Sequence, residues 1–320
     1  MSFKIAIIAI GRNEGDRLRT CLSTAVAHDN AIVIYVDSGS KDGSVALAQS
    51  LNAHVVELDL SIPFTAARAR NEGFAKAIAI DPTIQYVQFI DGDCELQPGW
   101  VGHAMSALGD KPKAAVVCGR RRERFAGASI YNTLCDIEWA TPIGPAKSCG
   151  GDMMIRTSAF QQVGGYNPDV IAGEEPEMCV RLRHAGWEIW RIDFEMTLHD
   201  ASMTRFNQWW KRNVRAGHAY AEGFDRHGQP PELFRAKEVK SNRLWGTLWF
   251  IPLAWPLHTL LAAKIAYYRY SKTNTPLMSS LLYGISVVLG KLPQMIGQRK
   301  YVNNKTSGVR EKIIEYKNAQ

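Results

Sequence analysis

Apolar runs alternate with amphipathic stretches through roughly the first hundred positions of the chain. Four of these runs are rich in β-branched and aromatic residues, which is typical of buried strands. They cover residues 4–10, 31–36, 53–58 and 86–90. The segments between them follow the helical pattern and end at turn residues such as Asp81-Pro82. Strands that alternate with helices predict parallel βαβ units with helices on both faces of one sheet.

The middle of the chain is less regular. Short apolar runs predict strands, and glycine turns separate them. Residues 173–177, with Pro176 in the first helical turn, open a helix that Ala185-Gly186 ends. A basic run at residues 119–124 is interpreted as a loop or a strand end. The predicted strands cover residues 114–118, 153–156 and 187–192, and the predicted helices cover 174–184 and 203–223.

The composition changes after about Gly228, which predicts a catalytic domain at 1–228 and a helical C-terminal region at 229–320. Residues 244–263 carry no formal charge and are long enough to span a bilayer. Pro252 and its tryptophan-rich surroundings are more typical of a helix that lies on the membrane surface. A helical subdomain packed on the core is the third interpretation, and we expect surface attachment.

Charge supports that expectation. The formal net charge is +7, and from Lys291 onward there are seven Lys and Arg against two Glu. An anionic membrane surface fits this tail better than nucleic acid, because the chain has no recognisable nucleic-acid motif. The cysteines lie mostly in apolar runs, as in a reducing compartment, and no secretion signal is evident. We therefore expect a cytoplasmic protein, peripheral on the cytoplasmic face of a membrane.

Two carboxylates, Asp91 and Asp93, follow the fourth predicted strand and are separated only by Gly92. Ligands of open α/β sheets bind beyond the carboxyl ends of strands. Paired carboxylates there suit Mg²⁺ or Mn²⁺, and such an ion suits a diphosphate. An ordinary acidic turn is the alternative. Neither the dinucleotide-binding nor the P-loop glycine pattern is present.

Four motifs occur in a fixed order along the chain. Residues 36–44 read Val-Asp-Ser-Gly-Ser-Lys-Asp-Gly-Ser, 69–73 read Ala-Arg-Asn-Glu-Gly, 91–93 read Asp-Gly-Asp, and 173–175 read Gly-Glu-Glu. Together they resemble family 2 glycosyltransferases over roughly residues 4–220. The resemblance implies a GT-A fold, Rossmann-like with a mostly parallel central sheet. It also implies an inverting reaction, a UDP-, GDP- or dTDP-sugar donor, and Mn²⁺ or Mg²⁺.

The resemblance assigns several residues to the donor. Asp37 would accept a hydrogen bond from the nucleobase, with Arg12 and Glu14 bordering the same pocket. Arg70 would meet the diphosphate or hold a loop carboxylate. The alternatives are an Asx turn at Asp37, a polar loop at Arg12 and Glu14, and a solvated helical arginine at Arg70. Adjacent Ser38 replaces a second aspartate common in the family, so base contacts can differ in detail.

The same resemblance implies a metal site. Asp91 would belong to the metal site and face the ribose or a metal-bound water, Gly92 would border the donor nucleotide, and Asp93 would bind the metal directly. His199 would supply a third ligand, with Asp200 beside it to orient the ring. The alternative for a single histidine is a structural role.

The general base is expected at the start of the helix that follows Gly173. Inversion needs a carboxylate to take the proton of the acceptor hydroxyl. Glu175 matches the family position, and Glu174 is the second candidate. Carboxylates also favour a helix N-terminus for purely structural reasons.

Weaker assignments concern the acceptor and the diphosphate. Asp152 would border the acceptor sugar, and Lys211 or Arg212 would reach the diphosphate. The alternative for Lys211 and Arg212 is that their helix is an interface helix with aromatic anchors. We expect a glycan or glycolipid acceptor in polysaccharide biosynthesis, an inference from the tail. A sugar-phosphate nucleotidyltransferase and a non-catalytic nucleotide-sugar-binding module remain as the other classes.

Overall fold

The computed structural model describes residues 5–273 and 275–309 of the chain. Nine strands form one sheet within this part. In chain order the strands are β1 (Ile5–Gly11), β2 (Ala31–Asp37), β3 (His54–Glu57), β4 (Tyr86–Asp91), β5 (Cys94–Leu96), β6 (Ala114–Glu123), β7 (Gly144–Ala146), β8 (Met153–Arg156) and β9 (Glu188–His199).

Helices connect the strands and make up the C-terminal part of the described chain. Two short 3₁₀ turns, Ala126–Ala128 and Pro252–Ala254, join some of them. The helices are α1 (Asp16–Val26), α2 (Ser44–Ser50), α3 (Ala66–Ile80), α4 (Trp100–Asp110), α5 (Ile130–Trp139), α6 (Thr157–Gln162), α7 (Glu174–His184), α8 (Phe206–His227), α9 (Ala236–Leu248), α10 (Trp255–Lys272) and α11 (Leu277–Thr306).

The sheet is mixed, which corrects the expectation of a mostly parallel one. Its main order is β3-β2-β1-β4-β8-β6-β9-β5, and β7 also pairs with β9. The first four strands are parallel, as the alternation of strands and helices predicts, and β6 is parallel to β9. β8, β5 and β7 run antiparallel to their neighbours. Antiparallel strands need no helical crossover, so the regular alternation stops after β4.

The pairing register of β1 with β2 and β4 places the polar C-terminal ends of these strands side by side. β1 is buried along most of its length between β2 and β4. Gly11 at its end pairs with Asp37, and Ile10 pairs with Asp91. The strand-end carboxylates therefore lie at one edge of the sheet, where ligands of α/β domains bind.

The chain forms two compact units. The first contains the described residues up to Arg124, together with Trp139–Val170 and Glu174–Asp200. The second contains Phe125–Glu138, Ile171–Gly173 and the described residues from Ala201 onward. Helix α8, which the composition places with the catalytic domain, thus belongs to the second unit. The border at residue 228 is a prediction from composition, whereas the units follow from packing.

In the second unit, the uncharged stretch 244–263 is not one helix. Helix α9 ends at Leu248, and α10 begins only at Trp255. Pro252 opens the intervening 3₁₀ turn, and Pro256 lies in the first turn of α10. A second uncharged stretch, residues 275–290, falls mostly within α11, which packs along α8. Among the described residues, no helix combines the length and the apolar character needed to cross a membrane.

Candidate active site

The turn after β4 is held tightly against the end of β1. The N–H of Gly92 donates to the carbonyl of Ile10 at 2.8 Å. A Cβ atom at Gly92 would lie 3.0 Å from the same carbonyl oxygen and 3.5 Å from the Cα of Gly11. Glycine is therefore favoured where the two strand ends meet, since a side chain would force them apart by a few tenths of an ångström, and this close approach positions the two flanking aspartates.

Arg70 connects the strand end to the start of α7. Thr65 caps α3 by accepting the N–H of Arg68 at 3.0 Å, and this helix carries Arg70 into the interior. One guanidinium nitrogen donates to Asp91 and another to Glu174, each at 2.7 Å. Burial opposes its charge, but Asp91, Tyr166 and Glu174 raise the pKa of Arg70. The arginine therefore stays charged and holds loop carboxylates, one of the two roles predicted for it.

Arg121 holds Asp91 from the other side. It lies 3.3 Å from Asp91 Oδ2 and 3.5 Å from Asp152 Oδ2, and its guanidinium stacks on the ring of Trp139 at 4.9 Å. Asp152 is fully buried and accepts the N–H of Asp91 at 3.0 Å and the hydroxyl of Thr197 at 2.9 Å. In this structure Asp152 supports Asp91 and Arg121 from a fully buried position, and its assignment to the acceptor sugar stays a prediction.

Asp93 and His199 form a candidate metal pair. Both are buried, and Nε2 of the ring lies 3.3 Å from Asp93 Oδ2. Cys94 completes this group, with one atom from each residue within 4.8 Å of the others. The other ring nitrogen, Nδ1, lies 3.4 Å from Glu123 Oε2. Glu123 therefore takes the ring-orienting role that the sequence suggested for Asp200.

The chemistry of this pair fits a divalent cation. Burial first and Arg121 second lower the pKa of His199, so the ring is neutral at neutral pH. In the tautomer that carries its proton on Nδ1, toward Glu123, Nε2 and Asp93 Oδ2 are two electron-pair donors only 3.3 Å apart. Such atoms repel each other unless a cation is shared between them. One imidazole and carboxylate oxygens suit Mn²⁺, and Mg²⁺ accepts the oxygens.

Glu175 lies beside Glu174 at the start of α7, yet the two have different partners. The carboxylate of Glu174 is bound by Arg70. Oxygen Oε1 of Glu175 accepts the N–H of Cys149 at 2.8 Å and the thiols of Cys149 and Cys179 at 3.0 and 2.9 Å. Of the two glutamates, only Glu175 is free of a bound guanidinium in the described structure, which favours it as a proton acceptor.

The predicted nucleobase region is a hydrogen-bonded turn. Asp37 is buried, and its carboxylate accepts the Tyr35 hydroxyl at 2.8 Å and the N–H groups of Gly39 and Ser40 at 2.8 and 2.7 Å. This is the Asx-type turn that the sequence offered as the alternative. A carboxylate has further acceptor sites, so the turn leaves the nucleobase assignment as a prediction.

The remaining predicted residues lie in different surroundings. The guanidinium of Arg12 stacks on Phe64 at 4.7 Å, and Glu14 pairs with Arg17 at 2.9 Å, both near the end of β1. Lys211 and Arg212 lie on α8 in the second unit. Arg212 pairs there with Glu138 at 2.8 Å. Their assignment to the diphosphate stays a prediction.

Sequence reasoning missed Arg121, Glu123 and the two thiols around Glu175. The signal for the first two was present, because residues two apart on a strand share a face. Arg121 and Glu123 point toward the site from β6, while Arg120 pairs with exposed Asp193 at 2.9 Å. The basic run obscured this alternation. The thiols left no local signal, since Cys149 and Cys179 are thirty residues apart.

The strand order and the carboxylates at the strand ends define an α/β domain of the GT-A class. A solved structure shares this fold: the mannosyltransferase of Pyrobaculum calidifontis in complex with GDP-Man and Mn²⁺, at a TM-score of 0.61 and 17% sequence identity. The similarity covers 94% of this chain and 88% of that one.

Residues 6–156 match the family described as glycosyl transferase family 2, and residues 136–206 match the N-terminal domain of galactosyltransferase. Residues 6–156 are thus similar to family 2 glycosyltransferases, in agreement with the resemblance that the motifs predict.

Two characterised relatives match about half of the chain. The pre-mycofactocin glycosyltransferase of Mycobacterium tuberculosis is 26% identical over 172 residues, which are 50% of this chain and 35% of that protein. The O-antigen chain rhamnosyltransferase of Salmonella typhimurium is 27% identical over 172 residues, 49% of this chain and 53% of that protein. The matched region thus spans about a third to a half of these relatives.

Proposed function

We propose that this protein transfers a sugar from a nucleotide-sugar donor to an acceptor hydroxyl, with inversion at the anomeric carbon. The observation that carries the proposal is the position of Arg70. Its guanidinium joins Asp91, beside the candidate metal pair, to Glu174, beside the candidate base. A metal site for a diphosphate and a base for a hydroxyl are the two parts that such a transfer requires.

Glu175 is the proposed general base. It would take the proton of the acceptor hydroxyl as the oxygen attacks the anomeric carbon. Glu174 is the poorer candidate, because the guanidinium of Arg70 occupies its carboxylate at 2.7 Å. In this assignment Glu174 and Arg70 hold the first turn of α7 in place, and Glu175 on the same turn carries out the proton transfer.

Asp93 and His199 are the residues that would hold the divalent cation, with Glu123 orienting the imidazole. When bound, Mn²⁺ or Mg²⁺ would neutralise charge on the departing nucleoside diphosphate. Asp91 cannot turn freely toward a ligand, because Arg70 and Arg121 hold its two oxygens. Its proposed role is to face the ribose or a metal-bound water from this fixed position.

The donor is proposed to be a UDP-, GDP- or dTDP-sugar. The archaeal mannosyltransferase with the same fold was solved with GDP-Man and Mn²⁺, which supports this class of donor and the use of a divalent ion. The rhamnosyltransferase relative acts on an O-antigen chain, which supports a glycan or lipid-linked acceptor. Asp37, Arg12 and Glu14 are the proposed nucleobase side of the pocket.

We also propose that the second unit attaches to an anionic membrane surface, on the cytoplasmic face. One side of α10 and the turn before it presents apolar side chains at helical spacing: Leu253, Leu257, Leu260 and Tyr267, with Lys264 among them. Leu253 is 92% exposed and Tyr267 is 72% exposed. We call these five residues the α10 face. Apolar area buried in lipid contributes about 25 cal/mol per Å².

In the sequence around the α10 face, every charged residue is basic. From residue 239 to residue 309 the chain has nine Lys and Arg and no Asp or Glu. Each basic residue near an anionic surface contributes about 1 kcal/mol of attraction. Three further basic residues, Arg310, Lys312 and Lys317, lie outside the described residues. Exposed aromatic and aliphatic groups flanked by cations are typical of interfacial helices.

A screen of nucleotide sugars tests the proposed reaction. The purified protein is incubated with each donor, with Mn²⁺, Mg²⁺ or a chelator, and with or without a membrane lipid extract. We expect release of nucleoside diphosphate from one donor, dependent on the cation and stimulated by an acceptor in the extract. Pyrophosphate-dependent exchange without sugar transfer would instead indicate a nucleotidyltransferase, and undiminished activity in chelator would contradict the metal site.

Vesicle sedimentation tests the membrane proposal. We expect the protein to bind vesicles that contain anionic lipid and to bind neutral vesicles much less. The double variant Leu253→Glu with Leu260→Glu should remain in the supernatant. Ile80→Glu, an exposed apolar residue of the first unit, is the matched control and should bind like wild type. Equal sedimentation of the double variant and wild type would exclude the α10 face as the attachment site.

A further inference from the structure

Three hydrogen-bond donors converge on a single oxygen of Glu175. They are the backbone N–H of Cys149, its thiol and the thiol of Cys179, all between 2.8 and 3.0 Å from Oε1. The other oxygen, Oε2, has no hydrogen-bond partner among the described residues. Cys179 lies one helical turn after Glu175 on α7, and Cys149 lies in the loop before β8. One end of the carboxylate is therefore held, and the other is left available.

Both thiols are protonated at neutral pH and can act as donors. Burial raises the pKa of the Cys149 thiol. The neighbouring Cys149 opposes the shift at Cys179, but burial and the nearby Glu175 raise the pKa of the Cys179 thiol to about 12. Neither group is a reactive thiolate, since nucleophilic cysteines have a lowered pKa. Their contribution at this site is to donate hydrogen bonds.

Whether a hydrogen-bond donor is charged or neutral determines how much it lowers the basicity of the carboxylate that it binds. A guanidinium forms short, charge-assisted bonds, as Arg70 does to Glu174 at 2.7 Å, and such bonds in general favour the ionised form of a carboxylate. A thiol is a weak, uncharged donor. Thiols can therefore fix the rotamer of a carboxylate while leaving it able to accept a proton.

We propose that Cys149 and Cys179 are positioning residues for the general base: their thiols hold Oε1 of Glu175 so that Oε2 faces the acceptor hydroxyl. The inference rests on the proposed function, in which Glu175 takes the proton. It assigns a role to two buried sulfur atoms that the metal site does not use. It also explains why adjacent glutamates on one helical turn serve different purposes.

Other ionisable groups surround Glu175 and bear on any pH profile. Tyr166 is buried, and burial raises its pKa, so it stays neutral. Glu174 is paired with Arg70, and Arg183 acts on Cys179 from the end of α7. These groups are unchanged in cysteine variants, so a shift in the profile reports the loss of the thiol donors.

The test compares removal and conservative replacement of the two donors. In Cys149→Ala with Cys179→Ala, we expect kcat to fall about tenfold to a hundredfold, because the base is no longer held in one orientation. The donor KM should not change. The acid limb of the kcat profile should move to higher pH, because a carboxylate that keeps only the backbone donor of residue 149 is protonated more easily than one with three donors. Serine at both positions restores donors and should recover most of kcat.

Two comparisons separate this inference from the proposed function and from a loss of stability. Cys135→Ala removes a buried thiol of the second unit and should leave the pH profile unchanged. If Glu175→Gln is inactive while the double alanine variant keeps wild-type kcat and pH profile, the positioning role is wrong and the base assignment stands. If Glu175→Gln is fully active, the base assignment itself fails.

Infrared spectroscopy gives a readout that needs only folded protein. A thiol that donates to a carboxylate has its S–H stretching band at lower frequency than a thiol without an acceptor. In Glu175→Gln the ionised acceptor is lost, and we expect the bands of Cys149 and Cys179 to move to higher frequency. Single Cys→Ser variants assign the bands. Bands that do not respond to Glu175→Gln would overturn the inference, even if the double alanine variant fails to fold.

Discussion

At the scale of single residues, the candidate active site is a group of carboxylates that two arginines, Arg70 and Arg121, hold in position. Arg70 was predictable, because it belongs to a motif on a helix after a strand. Arg121 was not singled out, because its role depends on Asp91 and Asp152, which come thirty or so positions earlier and later. A side chain whose partners are distant in sequence has no local sequence pattern that predicts its contacts. Only the register of the sheet shows that these partners lie close together.

The bridging role of Arg121 leads to a prediction for Arg121→Lys. A lysine has no planar fork and cannot serve Asp91 and Asp152 together. Asp152 is fully buried, and a buried carboxylate that loses its partner costs about 3 kcal/mol. We expect a loss of this order in the free energy of unfolding, measured with urea, and a loss of most transfer activity.

Arg120→Lys is the matched control on the same strand. Arg120 is 42% exposed and pairs with an exposed aspartate, so its replacement should change the free energy of unfolding by less than about 1 kcal/mol. Equal effects of the two substitutions would mean that Arg121 makes no special contribution to the site.

At the scale of elements, the strands β1, β2 and β4 and the helix α3 were predicted to within a few residues of their observed ends. Each has a strong apolar period and a turn or cap at its end. Strands β5 and β7 were missed, since each has three residues and pairs with distant β9. So short a segment has no period of its own, and its conformation is decided by its partner.

Glycines determine how α8 and α11 pack. A Cβ at Gly217 would lie 1.9 Å from the carbonyl oxygen of Gln294, and one at Gly297 would lie 2.0 Å from that of Val214. Neither backbone can yield without separating the helices. We expect Gly217→Ala and Gly297→Ala each to lower the free energy of unfolding by at least about 1 kcal/mol, within the usual cost of overpacking.

Gly102→Ala is the control for the effect of alanine in a helix. Gly102 lies in α4 with nothing within 4 Å of its missing Cβ. Alanine there should stabilise the protein by about 0.5–1 kcal/mol, because the unfolded chain loses conformational freedom. Urea denaturation measures all three variants. A stabilising effect at Gly217 or Gly297 would contradict the close helix packing.

At the scale of the whole molecule, composition alone could not locate the second unit. Residues 229–320 differ in composition from the rest, but α8 and Phe125–Glu138 pack with them. The partners of α8 lie about eighty residues later in α11, beyond the reach of any local window. Removing residues 240–320 would therefore expose a packed face of α8, and point variants on the α10 face are the better test of membrane attachment.

Acid should destabilise the second unit through His218, which α8 buries against Tyr301 at 5.1 Å between ring centres. Burial first and Lys300 second lower its pKa from 6.5 to about 4. The unfolded state therefore binds a proton more readily than the folded state. The contribution is complete above pH 6.5 and is lost as the pH falls toward 4, by up to about 3 kcal/mol.

Urea denaturation between pH 7 and pH 4.5 measures this loss. The variant His218→Gln cannot take up the proton, so its stability should fall less steeply over this interval than that of wild type. Other groups titrate equally in both proteins and cancel in the comparison. Parallel curves for wild type and variant would show that His218 does not contribute to the acid sensitivity.

The central claim is that Glu175 takes the acceptor proton in a metal-dependent glycosyl transfer. Donor binding by calorimetry and transfer rate, both measured with Mn²⁺ on Glu175→Gln, test it most directly. We expect the rate to fall by at least about a hundredfold, the usual contribution of a general base, while the donor Kd stays near that of wild type. A variant that binds donor and transfers sugar at close to the wild-type rate would contradict the claim.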